Sequence, residues 1–190
     1  MTEAVIFDLY GVLALNGWQA FKSQHFTDDD TRATELFELG RQVDVGLAGY
    51  RDFIHMAAEL TGETENMVRY QLEHTIANQP LLDYIQAELK PRYRVGILSN
   101  ASSDEVLERV FTLEQRTLFD VVTFSHHVGH TKPEPEMYAL AAGRLGVAPE
   151  ACVFIDDQER HVSGALTAGM RGVLYADLAQ LKEELAGVLA

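Results

Sequence analysis

Cysteine is almost absent from this chain. Cys152 is the single thiol among 190 residues, so an intrachain disulfide cannot form. It sits in the apolar run Ala151-Cys152-Val153-Phe154 and reads as a buried strand residue, not a nucleophile. Basic residues are also scarce. Fifteen Lys and Arg stand against twenty-nine Asp and Glu, a formal net charge of −14. That balance argues against nucleic acid and against an anionic membrane as partners. It leaves room for a small anionic substrate, provided a metal, a Lys or a helix N-terminus supplies local positive charge. Long apolar runs are missing as well: no segment nears the roughly 20 residues that span a bilayer. No basic segment precedes the first apolar run, which Asp8 interrupts, so no secretory leader is read and a reduced, cytoplasmic setting is expected. Internal repeats and low-complexity stretches are lacking. The remainder is ordinary: 47% hydrophobic and 23% charged residues, enough for one core domain with a modest insertion.

Four short apolar runs have the length and composition of buried parallel strands: Ala4–Phe7, Tyr93–Leu98, Ala151–Ile155 and Gly172–Tyr175, with a weaker fifth at Val121–Phe124. Helical spacing marks Ser102–Phe111, Pro135–Leu145, His161–Ala168 and Asp177–Leu189. Strands alternating with helices predict an α/β fold built on a doubly wound parallel sheet. Ser102-x-x-Glu105 predicts a capping box, and Leu145-Gly146 a helix stop. Between the first two strands the pattern changes. Leu36, Phe37 and Leu39, then Phe53, Ile54, Met56, Ala57 and Leu60, then Met67, Tyr70 and Leu72 recur at helical spacing, and no strand is read between about 15 and 80. The expected organisation is a core of residues 1–14 and 81–190, interrupted by a helical insertion over 15–80, with Pro80 at the return. Both ends of that insertion join beside Asp8, which suits a cap over a site.

Each strand that matters ends in polar residues. Asp8-Leu9-Tyr10-Gly11 follows the first strand, and Gly11 permits a tight turn. Ser99-Asn100 ends the second, just before a helix, where free N–H groups bind anions. Gly129-His130-Thr131-Lys132-Pro133-Glu134-Pro135 holds Lys132 on a proline-stiffened loop. Asp156-Asp157 ends the strand near 152–155, and adjacent carboxylates there call for a cation. In an open α/β sheet these tips form the ligand-binding edge.

The ordered series Asp-x-x-Gly, Ser-Asn, Lys-Pro, Asp-Asp resembles the four motifs of the haloacid dehalogenase-like hydrolase superfamily. The likeness runs through the whole chain, and Val162-x-Gly164-Ala165 with Ala168-Gly169-Met170 continues it. It implies a Rossmann-like core with a helical cap and an enzyme hydrolysing a small anionic substrate through an intermediate on Asp8. It implies that Ser99 and Asn100 hold the transferred or leaving group and that Lys132 neutralises charge. It also implies Mg²⁺ as cofactor, bound by Asp8, Asp156, the nearby Asp157 and the backbone carbonyl of Tyr10.

Two motifs pull apart. The superfamily's phosphatases carry an Asp general acid where this chain has Tyr10, and loss of general acid–base catalysis costs about 10²–10⁴-fold. Its 2-haloacid dehalogenases resemble this chain in Asp-x-Tyr-Gly, since halide leaves without a proton. Yet Asp156-Asp157-Gln158 resembles the phosphatases' fourth motif, and His161 stands where phosphatases carry Asn and dehalogenases Asp. A dehalogenase also needs a cap Arg, for which Arg41 and Arg32 are the candidates by position. Trp18 is a candidate wall of the substrate pocket. The reading that results is a Mg²⁺-dependent phosphatase-type hydrolase of a small phosphorylated metabolite, with a 2-haloacid dehalogenase, or an anion-binding protein without turnover, as alternatives. His126, His127 and His130 form a His-His-x-x-His spacing that suggests a transition-metal site, but the loop adjoins a carboxylate site better suited to Mg²⁺.

Overall fold

A computed structural model of the chain describes residues 1–15, 17–26 and 32–189. The strands are β1 (Ala4–Phe7), β2 (Ala14–Leu15), β3 (Ile76–Ala77), β4 (Arg94–Ser99), β5 (Val121–Phe124), β6 (Cys152–Asp156) and β7 (Arg171–Leu174). The helices are α1 (Gly17–His25), α2 (Arg32–Asp44), α3 (Tyr50–Thr61), α4 (Glu65–Glu73), α5 (Gln79–Tyr84), α6 (Glu105–Val110), α7 (Leu113–Arg116), α8 (Ser125–Val128), α9 (Pro135–Leu145), α10 (Glu159–Thr167) and α11 (Leu178–Val188). Among the described residues no helix is long and apolar enough to cross a membrane.

Five strands form one parallel sheet in the order β5-β4-β1-β6-β7. β1 is central because its residues are apolar on both faces. Val5 and Phe7 pack with Val95, Ile97, Val153 and Ile155 and with Leu82, Ile85 and Leu185. Ala4 and Ile6 face the other way, with Leu98, Phe154, Met137 and Ala165. Alternate residues thus feed two separate cores, as the two-residue strand repeat requires. Phe7 pairs with Ile97 on one side and Ile155 on the other, which sets Asp8 beside Asp156 at the ends of neighbouring strands. From β1 the chain winds out toward β4 and β5, and from β6 it winds the opposite way to β7. The crevice between β1 and β6 is therefore the switch point of the sheet.

Helices α1 to α4 surround a third cluster: Phe21, Leu36, Val43, Phe53, Ile54, Ala57 and Val68, with Trp18 packed against it. The expectation of no strand between 15 and 80 misses one feature. Ala14–Leu15 pairs antiparallel with Ile76–Ala77 in a ribbon two residues long. A pairing that short has no periodicity to read. Asn78 closes the return: its backbone N–H donates to Leu13 O (2.9 Å), and its side-chain amide donates to Val12 O (2.8 Å). The next helix, α5, already contributes Leu81 and Leu82 to the sheet's core.

The expected box at Ser102 does not form. Helix α6 starts at Glu105 with Asp104 before it, and Ser103 Oγ accepts from Glu105 N–H (3.1 Å). Ala101 is held out of any helix because its N–H donates to Ser125 Oγ (3.0 Å). Gly146 does stop α9, in the left-handed conformation at φ 69°.

Candidate active site

Asp8, Ser99, Lys132 and Asp156 converge at the crevice, and all four are buried. Lys132 Nζ lies 2.8 Å from Asp8 Oδ1 and 2.6 Å from Asp156 Oδ2. One ammonium thus serves two carboxylates, and with both acids ionised the trio keeps a net charge of −1. The two acids respond in opposite directions. Burial drives the Asp8 carboxyl up to about 7, against the pull of Lys132 and the Ser99 hydroxyl, with Asp156 repelling it further. Burial also acts against charge on Asp156, but the Lys132 ammonium and the His161 hydrogen bond overcome it and hold that carboxyl well below its ordinary range. His161 is buried, with Nδ1 3.1 Å from both Asp156 oxygens. Burial lowers its own proton affinity, and its Nε2 has no hydrogen-bond partner.

The loop carrying Lys132 is braced from both sides. Asn100 clamps its backbone: Oδ1 accepts from Lys132 N–H (2.8 Å), and Nδ2 donates to Lys132 O (3.2 Å). Glu134 accepts from the Thr131 hydroxyl (2.9 Å) and backbone N–H (3.3 Å), and its other oxygen meets His130 Nδ1 at 2.7 Å. Gly164 of α10 lets the helix approach this loop. A Cβ there would lie 2.7 Å from Pro133 Cβ and 2.7 Å from the Tyr138 hydroxyl. Glu134 is a bracing residue that motif reading passed over, although the Thr131-x-x-Glu134 spacing announces a local side-chain bond.

Asp157 follows Asp156 and packs against the turn after β1. Its carboxylate lies against Gly11, where φ is +87° and a Cβ would sit 2.4 Å from Oδ2, so that turn requires glycine on two counts. Ligand atoms of Asp8, Asp156 and His161 lie within 4.8 Å of one another. Two buried carboxylates under-neutralised by one ammonium form an oxygen-rich cradle that fits a hard cation such as Mg²⁺. Of the three histidines, His130 pairs with Glu134 instead, whereas His126 and His127 meet Asp104.

Above the crevice lies a cavity of about 630 Å³, walled by Tyr10, Trp18, Phe37, Tyr50 and Phe53 and carrying Lys22, Arg41, Asp44, Asn100, Ser102, Gln158 and Arg160. Trp18 contacts Phe37 and Phe53 at centroid distances of 5.6 and 5.7 Å, so it serves both wall and core. Arg41 reaches the cavity while paired with Glu38 at 3.3 Å. The side chain of Arg32 lies outside the described residues. Burial pushes the Tyr10 phenol far above its usual range. The residue sequence reading missed is Asp44, at the end of α2. Burial lifts its carboxyl to about 7, with Lys132 and Arg41 pulling the other way.

The family described as haloacid dehalogenase-like hydrolase matches residues 2–169. The chain is 32% identical over 189 aligned positions to a phosphorylated carbohydrates phosphatase of Thermotoga maritima, covering 90% of this chain and 83% of that protein. It is 28% identical to an (S)-2-haloacid dehalogenase of Xanthobacter autotrophicus, covering 100% of this chain and 82% of that one. Its fold matches the HAD family enzyme bt-2542 from Bacteroides thetaiotaomicron, solved as a magnesium complex, with a TM-score of 0.71 at 22% identity, over 95% of this chain and 98% of the other. This chain therefore belongs to the haloacid dehalogenase-like hydrolase family.

Proposed function

We propose that the protein is a Mg²⁺-dependent, phosphatase-type hydrolase of a small phosphorylated metabolite, with residues 15–80 acting as the cap that frames the substrate. The observation that carries this reading is the charge of the crevice: two buried carboxylates, one ammonium and a histidine of lowered proton affinity. At 4 Å a unit charge pair interacts by roughly 4 kcal/mol at an effective dielectric of 20. A phosphate dianion facing Asp8 therefore needs added positive charge. Asp8, Asp156 and the Tyr10 backbone carbonyl would hold Mg²⁺, with Asp157 beside them, and bound Mg²⁺ supplies that charge. An Asp8 oxygen attacks phosphorus as the ester P–O bond breaks, and water then hydrolyses the Asp8 acyl phosphate. Lys132 holds Asp8 aligned and offsets developing charge, and Ser99 donates toward the same carboxylate. Asn100 keeps Lys132 in register. Such transfer rests on positioning and charge stabilisation. The phosphatase named among the relatives and the magnesium complex of the structural neighbour support the reading.

Tyr10 favours a second reading, a 2-haloacid dehalogenase, and one relative carries that name. A paired assay separates the two: p-nitrophenyl phosphate with and without Mg²⁺, beside chloride release from L-2-chloropropionate in EDTA. Mg²⁺-dependent phosphate release is expected. Metal-independent chloride release without phosphate release would replace the phosphatase reading with the dehalogenase.

A further inference from the structure

An alkyl phosphate ester leaves as an alkoxide and needs a proton as it departs. The buried groups at the crevice are ill placed to give one. Lys132 is locked between Asp8 and Asp156. His161 faces Asp156 and does not line the cavity. The Tyr10 phenol is held neutral by burial, so it cannot serve as base for the water that follows. Within the cavity, Glu38 is exposed and spent on Arg41.

Asp44 is differently placed. It ends α2, and its main-chain carbonyl accepts a hydrogen bond from Ser125 Oγ, which itself accepts from Ala101 N–H (3.0 Å). This chain of two bonds ties the end of α2 to the tips of β4 and β5, one residue beyond Asn100. Asp44 lines the same cavity as Tyr10, Asn100 and Ala101. Lys132 and Tyr10 face it from the core, and Arg41 faces it from its own helix. Among the described residues none donates a hydrogen bond to it.

We propose that Asp44 is the general acid–base of this hydrolase, supplying from the inserted helices the acid and base pair that Tyr10 alone does not complete. As the ester P–O bond breaks, the Asp44 carboxyl gives its proton to the departing oxygen, releasing the alcohol. The Asp44 carboxylate then takes a proton from the water that attacks phosphorus, the Asp8–phosphorus bond breaks, and phosphate leaves with Asp44 protonated again. A carboxyl near 7 is suited to both halves of that cycle.

The inference rests on the phosphatase reading, and leaving-group dependence separates the two. First-turnover rates are measured with Mg²⁺ for p-nitrophenyl phosphate, whose phenolate leaves without a proton, and for 2-phenylethyl phosphate, whose alkoxide does not. Asp44→Asn is expected to release the first equivalent of nitrophenolate within about threefold of the parent rate, while alkyl release falls about 10²–10⁴-fold. Asp44→Glu, which keeps a carboxyl, is expected to retain most of the alkyl activity, and Tyr10→Asp placed in the Asp44→Asn background is expected to restore part of it. Equal losses on both esters, or no loss on either, overturn the role of Asp44. If Asp44→Asn does not fold, the Asp44→Glu protein decides: alkyl release lost in step with nitrophenolate release overturns the role. A parent protein inactive on both esters removes the phosphatase reading and this inference with it.

Discussion

The edge of the sheet and the inserted helices build one site by different means. At the edge, Asp8, Ser99, Lys132 and Asp156 are each at most 3% exposed and are fixed by strand register and short bonds. In the insertion, the ion pair that reaches the cavity is open to solvent: the side chains of Arg41 and Glu38 are 58% and 56% exposed. What is fixed there is the aromatic packing around Trp18. Buried charge is costly unless paired, so the edge can hold its carboxylates only in one geometry. An aromatic wall tolerates repacking, so substrate preference can change while the chemistry stays.

The sharpest way to break that contrast is Lys132→Met. Removing the shared ammonium leaves Asp8 and Asp156 facing each other in a buried crevice. Activity should drop below detection, and urea denaturation at pH 7 should show a loss of about 3–5 kcal/mol. That deficit should shrink as the pH falls and Asp8 takes up a proton. A stable, active Lys132→Met protein would mean that the ion triad does not organise the edge.

Trp18→Ala should act on selection instead. It removes a half-buried ring from three aromatic partners at 5.6 to 5.9 Å, at a cost of about 2 kcal/mol. KM for p-nitrophenyl phosphate should rise about tenfold while first-turnover chemistry on bound ester changes little. A fall in the chemical step with unchanged KM would transfer Trp18 from the wall to the machinery.

The smallest effect concerns the residue that links the regions. A carboxyl raised from 3.8 to about 7 by burial is protonated in folded and unfolded chains only well below pH 3.8. As pH rises toward 7 the unfolded chain ionises first, so the stability present at low pH is progressively lost. Asp44→Asn removes this penalty. Thermal melts should show the variant gaining on the parent between pH 4 and pH 8, by on the order of 1–2 kcal/mol after allowance for solvent at the cavity. No pH dependence in that difference would mean the carboxyl titrates normally.

Much of the edge was legible because its signals are local. An apolar run ending in Asp, Ser-Asn or Asp-Asp specifies a strand and its tip within a few residues, and β1, β4 and β6 lie within a residue or so of the runs expected. What stayed hidden depends on distant partners. Asp44 reads as an unremarked acid after Val43; its place comes from Ser125, 81 residues away. Asn100, expected to hold the transferred or leaving group, lines the cavity but spends its amide on the backbone of Lys132, a partnership across 32 residues. The departure at Ser102 has the same cause: Ala101 answers to Ser125 at the start of α8, not to the helix that follows it.

The Ser125 tie carries a further meaning. One hydroxyl bonds both to the loop after Ser99-Asn100 and to the end of α2, so the sheet edge and the inserted helices share one fixed point there. The ribbon β2–β3 joins the two chain crossings of the same insertion. The place of Asp44 beside the cavity therefore depends on a serine that takes no part in the chemistry and would show itself only when removed.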